Sequence, residues 1–206
     1  MGRVITIAQQ KGGSGKTTLA VNLAVRFVQK GLSVALLDSD PQGSLGRWFL
    51  AREALKGDAG MVLSTASAWG VGYECGKLRR THDIIIVDTP PKVDADLRPS
   101  LREADLVLIP VAASHVDLWA TDGVLDLIAR EGRRALIVLN RMRAGTRLGD
   151  EVAVAAAGLA EVAGARLASR MVYAETLGQG LAACEVRGAA VAEVAALADE
   201  VLAVMG

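Results

Sequence analysis

Glycines, lysines and threonines are concentrated near the start of the chain, in Gln10-Lys11-Gly12-Gly13-Ser14-Gly15-Lys16-Thr17-Thr18. This segment separates a short apolar run from a stretch with helical periodicity. Glycines let the backbone wrap closely, so that successive amide groups and the N-terminus of the following helix point at an anion. Lys16 is then placed to reach the β- and γ-phosphates of a nucleotide, and the Thr17 hydroxyl to ligate Mg²⁺. The spacing therefore predicts a phosphate-binding loop over residues 11–18.

Carboxylates follow two other apolar runs. Asp38 and Asp40 come after the run at 34–37, and Asp88 comes after the run at 84–87. In an open α/β sheet the carboxyl ends of the strands face the ligand crevice, so these acids are expected near the loop. A turn followed by a helix cap would also explain the Asp38–Asp40 pair. Their occurrence together with the loop favours a functional role.

Short apolar runs predict strands over residues 4–8, 34–37, 84–87, 106–109 and 135–139. Runs without polar alternation are typical of strands that are covered on both faces, as in a parallel sheet. Amphipathic stretches between them predict helices over about 17–30, 45–55, 117–130, 148–162 and 189–204. Strand–helix alternation predicts an α/β fold, a doubly wound, mostly parallel sheet with helices on both faces. We expect one domain over residues 1–206, and the weakly patterned stretch 57–76 predicts no element.

Composition excludes several classes of protein. The 206 residues are 51% hydrophobic, which excludes disorder, and only 3% aromatic, which disfavours a base-stacking platform. Lys plus Arg is 23 and Asp plus Glu is 23, so no global positive field draws the chain to nucleic acid or to anionic membrane. Any binding of polyanions must then come from a local patch. Cys75 and Cys184 are expected to be reduced thiols in or near the core.

The loop departs from the ordinary pattern G-x-x-x-x-G-K-[ST], because Gln10 stands at its first glycine and Lys11 directly precedes two glycines. In this it resembles the deviant Walker A motif of the ParA/MinD family of ATPases. The resemblance implies a P-loop NTPase fold with ATP and Mg²⁺ as cofactors. It also implies that Lys11 crosses a dimer interface to the partner's nucleotide and acts in catalysis together with Lys16.

The same resemblance extends to the acids. It implies that Asp40 orients the attacking water, that Asp38 supports Mg²⁺ or its lysine neighbours, and that Asp88, in a Walker B segment, holds Mg²⁺ through a water. Asp117 lies within a stretch, 111–123, that is similar to a family segment after the fourth predicted strand, and a helix N-cap and a functional carboxylate explain it equally well.

Asn140 ends the fifth predicted strand. The family gives this position an adenine-pairing role, so Asn140 and Arg141 are expected in the ATP site, although a strand-end turn residue remains the alternative for Asn140. Position 143 is Arg143 instead of an acid, so the guanine-reading pattern N-K-x-D is absent and ATP is favoured over GTP.

The resemblance favours the short ParA type within the family. The phosphate loop lies within the first dozen or so residues, where long partition ATPases carry a DNA-reading domain, and the last stretch, 189–206, is acidic where MinD-like proteins carry a basic membrane helix. Short ParA proteins bind DNA without sequence preference as ATP-bound dimers. We expect Arg170 first, then Arg166, to contact DNA, while solvation or ion pairing of these arginines is an equally good explanation.

The resemblance thus implies a slow Mg²⁺-dependent ATPase that positions a plasmid, a chromosome origin or a protein cluster. The implied partners are a second copy in the ATP state, double-stranded DNA and a stimulating adaptor that is ParB-like or cargo-specific, with no membrane. The implied location is the cytoplasm, on the nucleoid in the ATP state. A nucleotide-switched regulatory protein, or a metabolic ATP-dependent enzyme of the same superfamily, is the alternative.

Overall fold

The structure is a computed structural model that describes residues 1–91 and 96–206. Its strands are β1 (Arg3–Ile7), β2 (Val34–Asp38), β3 (Val62–Thr65), β4 (Ile84–Asp88), β5 (Leu106–Ala112) and β6 (Ala135–Asn140). Its helices are α1 (Lys16–Gln29), α2 (Ser44–Lys56), α3 (Val71–Leu78), α4 (Arg98–Glu103), α5 (His115–Trp119), α6 (Asp122–Arg130), α7 (Arg147–Ala157), α8 (Val172–Gly178) and α9 (Ala190–Met205). Short 3₁₀ helices cover 68–70 and 183–185.

The six strands form one sheet in the order β3-β2-β4-β1-β5-β6, and every neighbouring pair is parallel. Asp88 of β4 lies opposite Asp38 of β2 on one side and Ile7 of β1 on the other. The carboxyl ends of these three central strands are therefore level. The chain segments that follow them meet at one edge of the sheet, which is the edge where open α/β sheets bind ligands.

Helices cover both faces of the sheet, as predicted. Side chains alternate along β4, with Ile84 and Ile86 on one face and Ile85 and Val87 on the other. The first face packs against α1, α2, α8 and α9, and the second against α3 to α7. Burial on both faces is the reason that the strands are continuous apolar runs.

Strand β3 was not predicted from the sequence; it lies within the weakly patterned stretch 57–76. It is four residues long, it forms an edge of the sheet, and none of its residues is fully buried. An edge strand in which Ser64 and Thr65 follow Val62 and Leu63 lacks both the apolar run and the alternation that identify strands.

Two predicted helices have different limits in the structure. The helix predicted over 117–130 is two helices, α5 and α6. Between them the buried Thr121 donates its hydroxyl to the Asp117 carbonyl (3.0 Å) and accepts the Gln9 side-chain amide (3.3 Å). The helix predicted over 148–162 ends at Ala157, and the chain then turns so that Val162 pairs with Ile137 of β6.

Candidate functional site

The predicted phosphate-binding loop connects β1 to α1. Gly13 and Gly15 have φ values of 74° and 96°, a conformation that favours glycine. A side chain at Gly15 would also collide with the Asn140 amide, since a Cβ there would overlap Nδ2. No side chain of the described residues caps the N-terminus of α1, and its amide groups therefore remain available to an anion.

Lys16 is the first residue of α1 and is buried. Its ammonium group donates to the Gln9 carbonyl (3.2 Å), which lies at the other end of the loop. Burial lowers the pKa of Lys16, and the nearby carboxylates of Asp88 and Asp40 partly oppose that shift. The lysine thus closes the loop and brings a positive charge to the same place as the amide groups.

Asp88 and Thr17 form the next contact. The Thr17 hydroxyl donates to Asp88 Oδ2 (2.6 Å), while Asp88 Oδ1 is buried and has no hydrogen-bond partner among the described residues. Burial raises the pKa of Asp88 to about 7, against the opposing effect of the Thr17 hydrogen bond. Burial likewise raises the pKa of Asp38, whose carboxylate accepts the amides of Gly46 (3.0 Å) and Asp40 (3.1 Å).

These residues fit a magnesium ion. A hydroxyl and carboxylate oxygens are the ligands that Mg²⁺ prefers, and a divalent cation would satisfy both the unpartnered Oδ1 of Asp88 and its negative charge. Metal binding would compete with the proton that burial favours on Asp88.

Asp40 lies in the turn between β2 and α2 and is half-buried. Its Oδ1 accepts the Gln42 amide (2.9 Å), and its carbonyl accepts the Gly43 amide. The other carboxylate oxygen has no hydrogen bond to a described residue. Asp40 therefore stands beside the loop with one oxygen available to a water molecule.

The other lysine of the loop, Lys11, forms an ion pair within its own chain. Lys11 Nζ lies 2.5 Å from Asp117 Oδ2, and Asp117 is almost fully buried while the lysine is 40% exposed. Asp117 lies in the first turn of α5, whose N-cap is Ser114, so Asp117 is not the cap of this helix. The sequence offered no signal for this pairing, because the two residues are brought together by the β1–β5 neighbourhood.

Asn140 contacts the loop from the end of β6. Its Nδ2 donates to the Ser14 carbonyl (2.9 Å), and its Oδ1 accepts the Arg141 amide (2.9 Å). Both polar atoms of the Asn140 side chain are therefore hydrogen-bonded to the protein backbone. Arg141 is exposed and has φ of 52°, which turns the chain sharply away from the strand. The predicted adenine contact of Asn140 stays a prediction.

A cavity of about 410 Å³ opens beside these residues and is here called the loop cavity. It is lined by Thr18, Asn140, Arg141, Ser169, Arg170 and Tyr173, among others. The loop cavity adjoins the phosphate loop at Thr18, in the first turn of α1. Its size and position suit the nucleoside part of a nucleotide.

Arg170 and Arg166, the predicted DNA contacts, differ in their environment. Arg170 donates from Nε (2.8 Å) and Nη2 (2.6 Å) to Glu193 Oε1 in α9. Glu193 Oε2 accepts the Tyr173 hydroxyl (2.9 Å) and the Ala168 amide (3.1 Å). Arg166 is exposed and pairs with no described residue. Sequence reasoning missed Glu193, which lies 23 positions after Arg170, in α9.

Within the described part of the chain, no helix is both long enough and apolar enough to cross a membrane.

Comparisons with known proteins identify the family and the fold. Over 145 residues the chain is 34% identical to "Maintenance of carboxysome distribution protein A" of Halothiobacillus neapolitanus, covering 66% of this chain and 65% of the relative. Over 132 residues it is 33% identical to "Protein ParA" of Rhizobium radiobacter, covering 62% and 57%. These matches span less than two thirds of the relatives' own length.

The fold resembles that of the septum site-determining protein MinD of Pyrococcus horikoshii OT3, solved in complex with Mg-ADP, with a TM-score of 0.82 at 22% identity over 100% of this chain and 99% of the other. The predicted P-loop NTPase fold is therefore confirmed. The family model for the CobQ/CobB/MinD/ParA nucleotide binding domain matches residues 5–177, which include the loop, both acidic strand ends and the loop cavity, so the chain belongs to that family.

Proposed function

We propose that this chain is a magnesium-dependent ATPase of the ParA type, which forms an ATP-bound dimer on DNA and positions a cargo through cycles of hydrolysis. The observation that carries the proposal is the convergence of Lys16, Thr17 and Asp88 on one glycine loop that also bears Lys11. The relatives named for carboxysome distribution and ParA support a positioning role.

Each residue has a distinct task in this proposal. Lys16 and the loop amides bind the β- and γ-phosphates and neutralise charge that develops during phosphoryl transfer. Asp40, whose second carboxylate oxygen has no hydrogen bond to a described residue, orients the attacking water. Mg²⁺, held by Thr17 with Asp38 and Asp88 around it, would supply further charge neutralisation on the phosphates. Because phosphoryl transfer needs positioning more than covalent chemistry, no nucleophilic side chain is required.

Lys11 acts on the partner's nucleotide in the dimer. It must first leave Asp117, with which it pairs within its own chain. Formation of the dimer therefore exchanges an ion pair within the subunit for a contact between subunits. The adaptor and DNA accelerate turnover, and the cargo is a plasmid, a chromosomal region or a protein assembly such as the carboxysome.

The test is ATP hydrolysis with and without Mg²⁺ and double-stranded DNA, for the wild type and for Asp40→Ala. We expect Asp40→Ala to bind ATP and to dimerise but to lose hydrolysis by roughly 100-fold or more, the range of a lost acid–base or positioning group. Asp126→Ala, which removes an exposed acid of α6, is the matched control and should hydrolyse ATP normally.

Two results would contradict the proposal. Hydrolysis that persists in Asp40→Ala would remove the assigned role of that carboxylate. Steady turnover that requires a small-molecule acid and ignores DNA would favour a metabolic enzyme of the same superfamily.

A further inference from the structure

The middle of the phosphate loop has little conformational preference of its own. Ser14 lies between Gly13 and Gly15, whose φ values of 74° and 96° fall in the region that favours glycine. Ser14 is almost fully buried, but its Oγ has no hydrogen-bond partner among the described residues. The ends of the loop are joined by the bond from Lys16 to the Gln9 carbonyl. The middle therefore depends on a contact from outside the loop.

That contact comes from Asn140, at the end of β6. Its Nδ2 donates to the Ser14 carbonyl (2.9 Å). Within the described part of the chain, no other side chain forms a hydrogen bond with the backbone of residues 12–15. Asn140 is itself buried, so water competes little for this bond. Its amide also lies against Gly15, where a Cβ would overlap it.

The residue after Asn140 determines which way its amide faces. Arg141 has φ of 52°, which is uncommon for a residue other than glycine, and its backbone amide donates to Asn140 Oδ1 (2.9 Å). A backbone N–H can only donate and a backbone carbonyl can only accept. Oδ1 must therefore face Arg141, and Nδ2 must face the Ser14 carbonyl.

The contact also determines the direction of one amide of the loop. The peptide unit between Ser14 and Gly15 is planar and trans, so its C=O and its N–H point to opposite sides. Because Asn140 binds the carbonyl, the Gly15 amide points away from Asn140. It has no hydrogen bond to a described residue, and it directly precedes Lys16 at the uncapped N-terminus of α1. A phosphate at that N-terminus is placed to accept it.

We propose that Asn140 is a positioning residue of the phosphate loop, which holds the Ser14–Gly15 peptide unit so that the Gly15 amide faces the phosphate groups of the nucleotide. This role differs from the predicted adenine contact, because it concerns the phosphates and is independent of the base. Since the amide is oriented before the nucleotide arrives, less conformational freedom is lost on binding. The inference rests on the nucleotide binding of the proposed function.

The test uses a probe that has no base. Affinities for tripolyphosphate and for ATP, each with Mg²⁺, are measured by isothermal titration calorimetry for the wild type, Asn140→Ala and Asn140→Asp. The aspartate keeps the shape of the side chain and an acceptor for the Arg141 amide, but it has no donor for the Ser14 carbonyl.

Asn22→Ala is the matched control. Asn22 is a buried asparagine of α1 that also joins two backbone groups, since it donates to the Thr18 carbonyl (2.8 Å) and accepts the Ala183 amide (2.8 Å). Its side chain makes no contact with residues 12–15 that appears among its hydrogen bonds. Thermal unfolding of every variant shows how much stability each substitution removes.

We expect Asn140→Ala to weaken the binding of tripolyphosphate and of ATP by the same factor, roughly 10-fold, because a buried hydrogen bond is lost and the loop amide is no longer oriented. The loss should be at least as large in Asn140→Asp, which places a carboxylate oxygen opposite the Ser14 carbonyl. Asn22→Ala should lower the unfolding temperature as well, but it should change either affinity by less than about two-fold.

Several outcomes would overturn the inference. A loss confined to ATP would assign Asn140 to the base, and an equal loss in Asn22→Ala would indicate a general effect of stability. Normal tripolyphosphate binding by Asn140→Asp would show that the donor is not needed. A wild type that binds ATP but not tripolyphosphate would show that the loop does not bind phosphate independently of the base. A wild type that binds neither would remove the nucleotide step of the proposed function as well, and the wild-type measurement alone identifies that case.

Discussion

The phosphate loop and the C-terminal segment around Arg170 both line the loop cavity, but they are held in different ways. The loop is fixed by backbone geometry, by strand ends that are level in the sheet, and by contacts such as Thr17 with Asp88. The C-terminal segment is attached by core packing of residues such as Leu167 and Tyr173 and by backbone hydrogen bonds to Met142. Two ion pairs add to this attachment, Arg52 with Glu185 and Arg170 with Glu193. One wall of the cavity is thus set by strand register, while the other also depends on ion pairs between residues that are distant in the chain.

Substitution of Arg52 is expected to have the largest effect on stability, because this residue connects α2 to the C-terminal segment. Its guanidinium, in α2, is buried and donates to both carboxylate oxygens of Glu185 (2.7 and 3.1 Å) and to the Gly180 carbonyl (3.3 Å). Arg52→Ala leaves the largely buried Glu185 with Lys56 and the Ala182 amide as its partners among the described residues. We expect the free energy of unfolding to fall by about 3–5 kcal/mol, measured by urea denaturation.

Arg134→Ala is the control for that experiment. The pair of Arg134 with Glu161 has the same chemistry, but both side chains are about half exposed. We expect a loss below about 1 kcal/mol. Similar losses for the two variants would show that burial of the Arg52 pair is not what attaches the segment.

The pH dependence of stability tests the burial of Asp88 beside the phosphate loop. Its pKa of about 7 in the folded chain exceeds the value of about 3.9 expected when unfolded, so the folded state binds the proton more tightly. Stability is therefore greatest below the unfolded pKa and is lost as pH rises through 7. Between pH 5 and pH 8 we expect the nucleotide-free chain to lose about 3 kcal/mol of unfolding free energy, at about 1.4 kcal/mol per pKa unit.

Asp88→Asn should remove most of this pH dependence, because the amide does not ionise. Urea denaturation at pH 5, 6, 7 and 8 gives the comparison directly. Asp38, whose pKa is also raised by burial, contributes in the same direction in both proteins. Parallel curves for the wild type and the variant would contradict the assignment to Asp88.

Lys16→Gln tests the charge at the loop itself. Removal of the ammonium group should weaken ATP binding roughly 10- to 100-fold, which corresponds to one lost hydrogen bond to a charged group. Isothermal titration calorimetry measures this affinity. Lys77→Gln, at an exposed lysine of α3 whose ion-pair partner among the described residues is Glu74, is the control and should bind ATP as the wild type does. Unchanged affinity in Lys16→Gln would contradict the assignment of the loop.

Asp117→Asn is expected to have the smallest effect and tests how Lys11 is held. With the ion pair removed from both subunits, ATP-dependent dimers should form at a protein concentration up to about 30-fold lower, since each of the two pairs has one exposed partner and contributes about 1 kcal/mol or less. Light scattering in an Asp40→Ala background, which blocks hydrolysis, measures the dimer. Asp122→Asn, five residues further on, is the control. Weaker dimerisation in Asp117→Asn would place Asp117 in the interface instead.

Much of the fold and of the loop could be predicted from the sequence. Five of the strands are apolar runs because they are buried on both faces, and the loop residues are contiguous, so their spacing alone indicates a phosphate site. Asp38 and Asp88 could be placed near the loop because parallel strands bring their carboxyl ends to one edge. In these cases the determining interactions are local or follow from the topology of the sheet.

Other features were decided by tertiary structure. The edge strand β3 has no apolar pattern, since one side of it meets solvent, and the break between α5 and α6 depends on hydrogen bonds of Thr121 with a loop more than a hundred residues away. The pairings of Lys11 with Asp117 and of Arg170 with Glu193 join charges that are distant in the chain. A sequence shows that a lysine or an arginine is present, but only packing selects its partner, because any exposed acid of the chain satisfies the same charge.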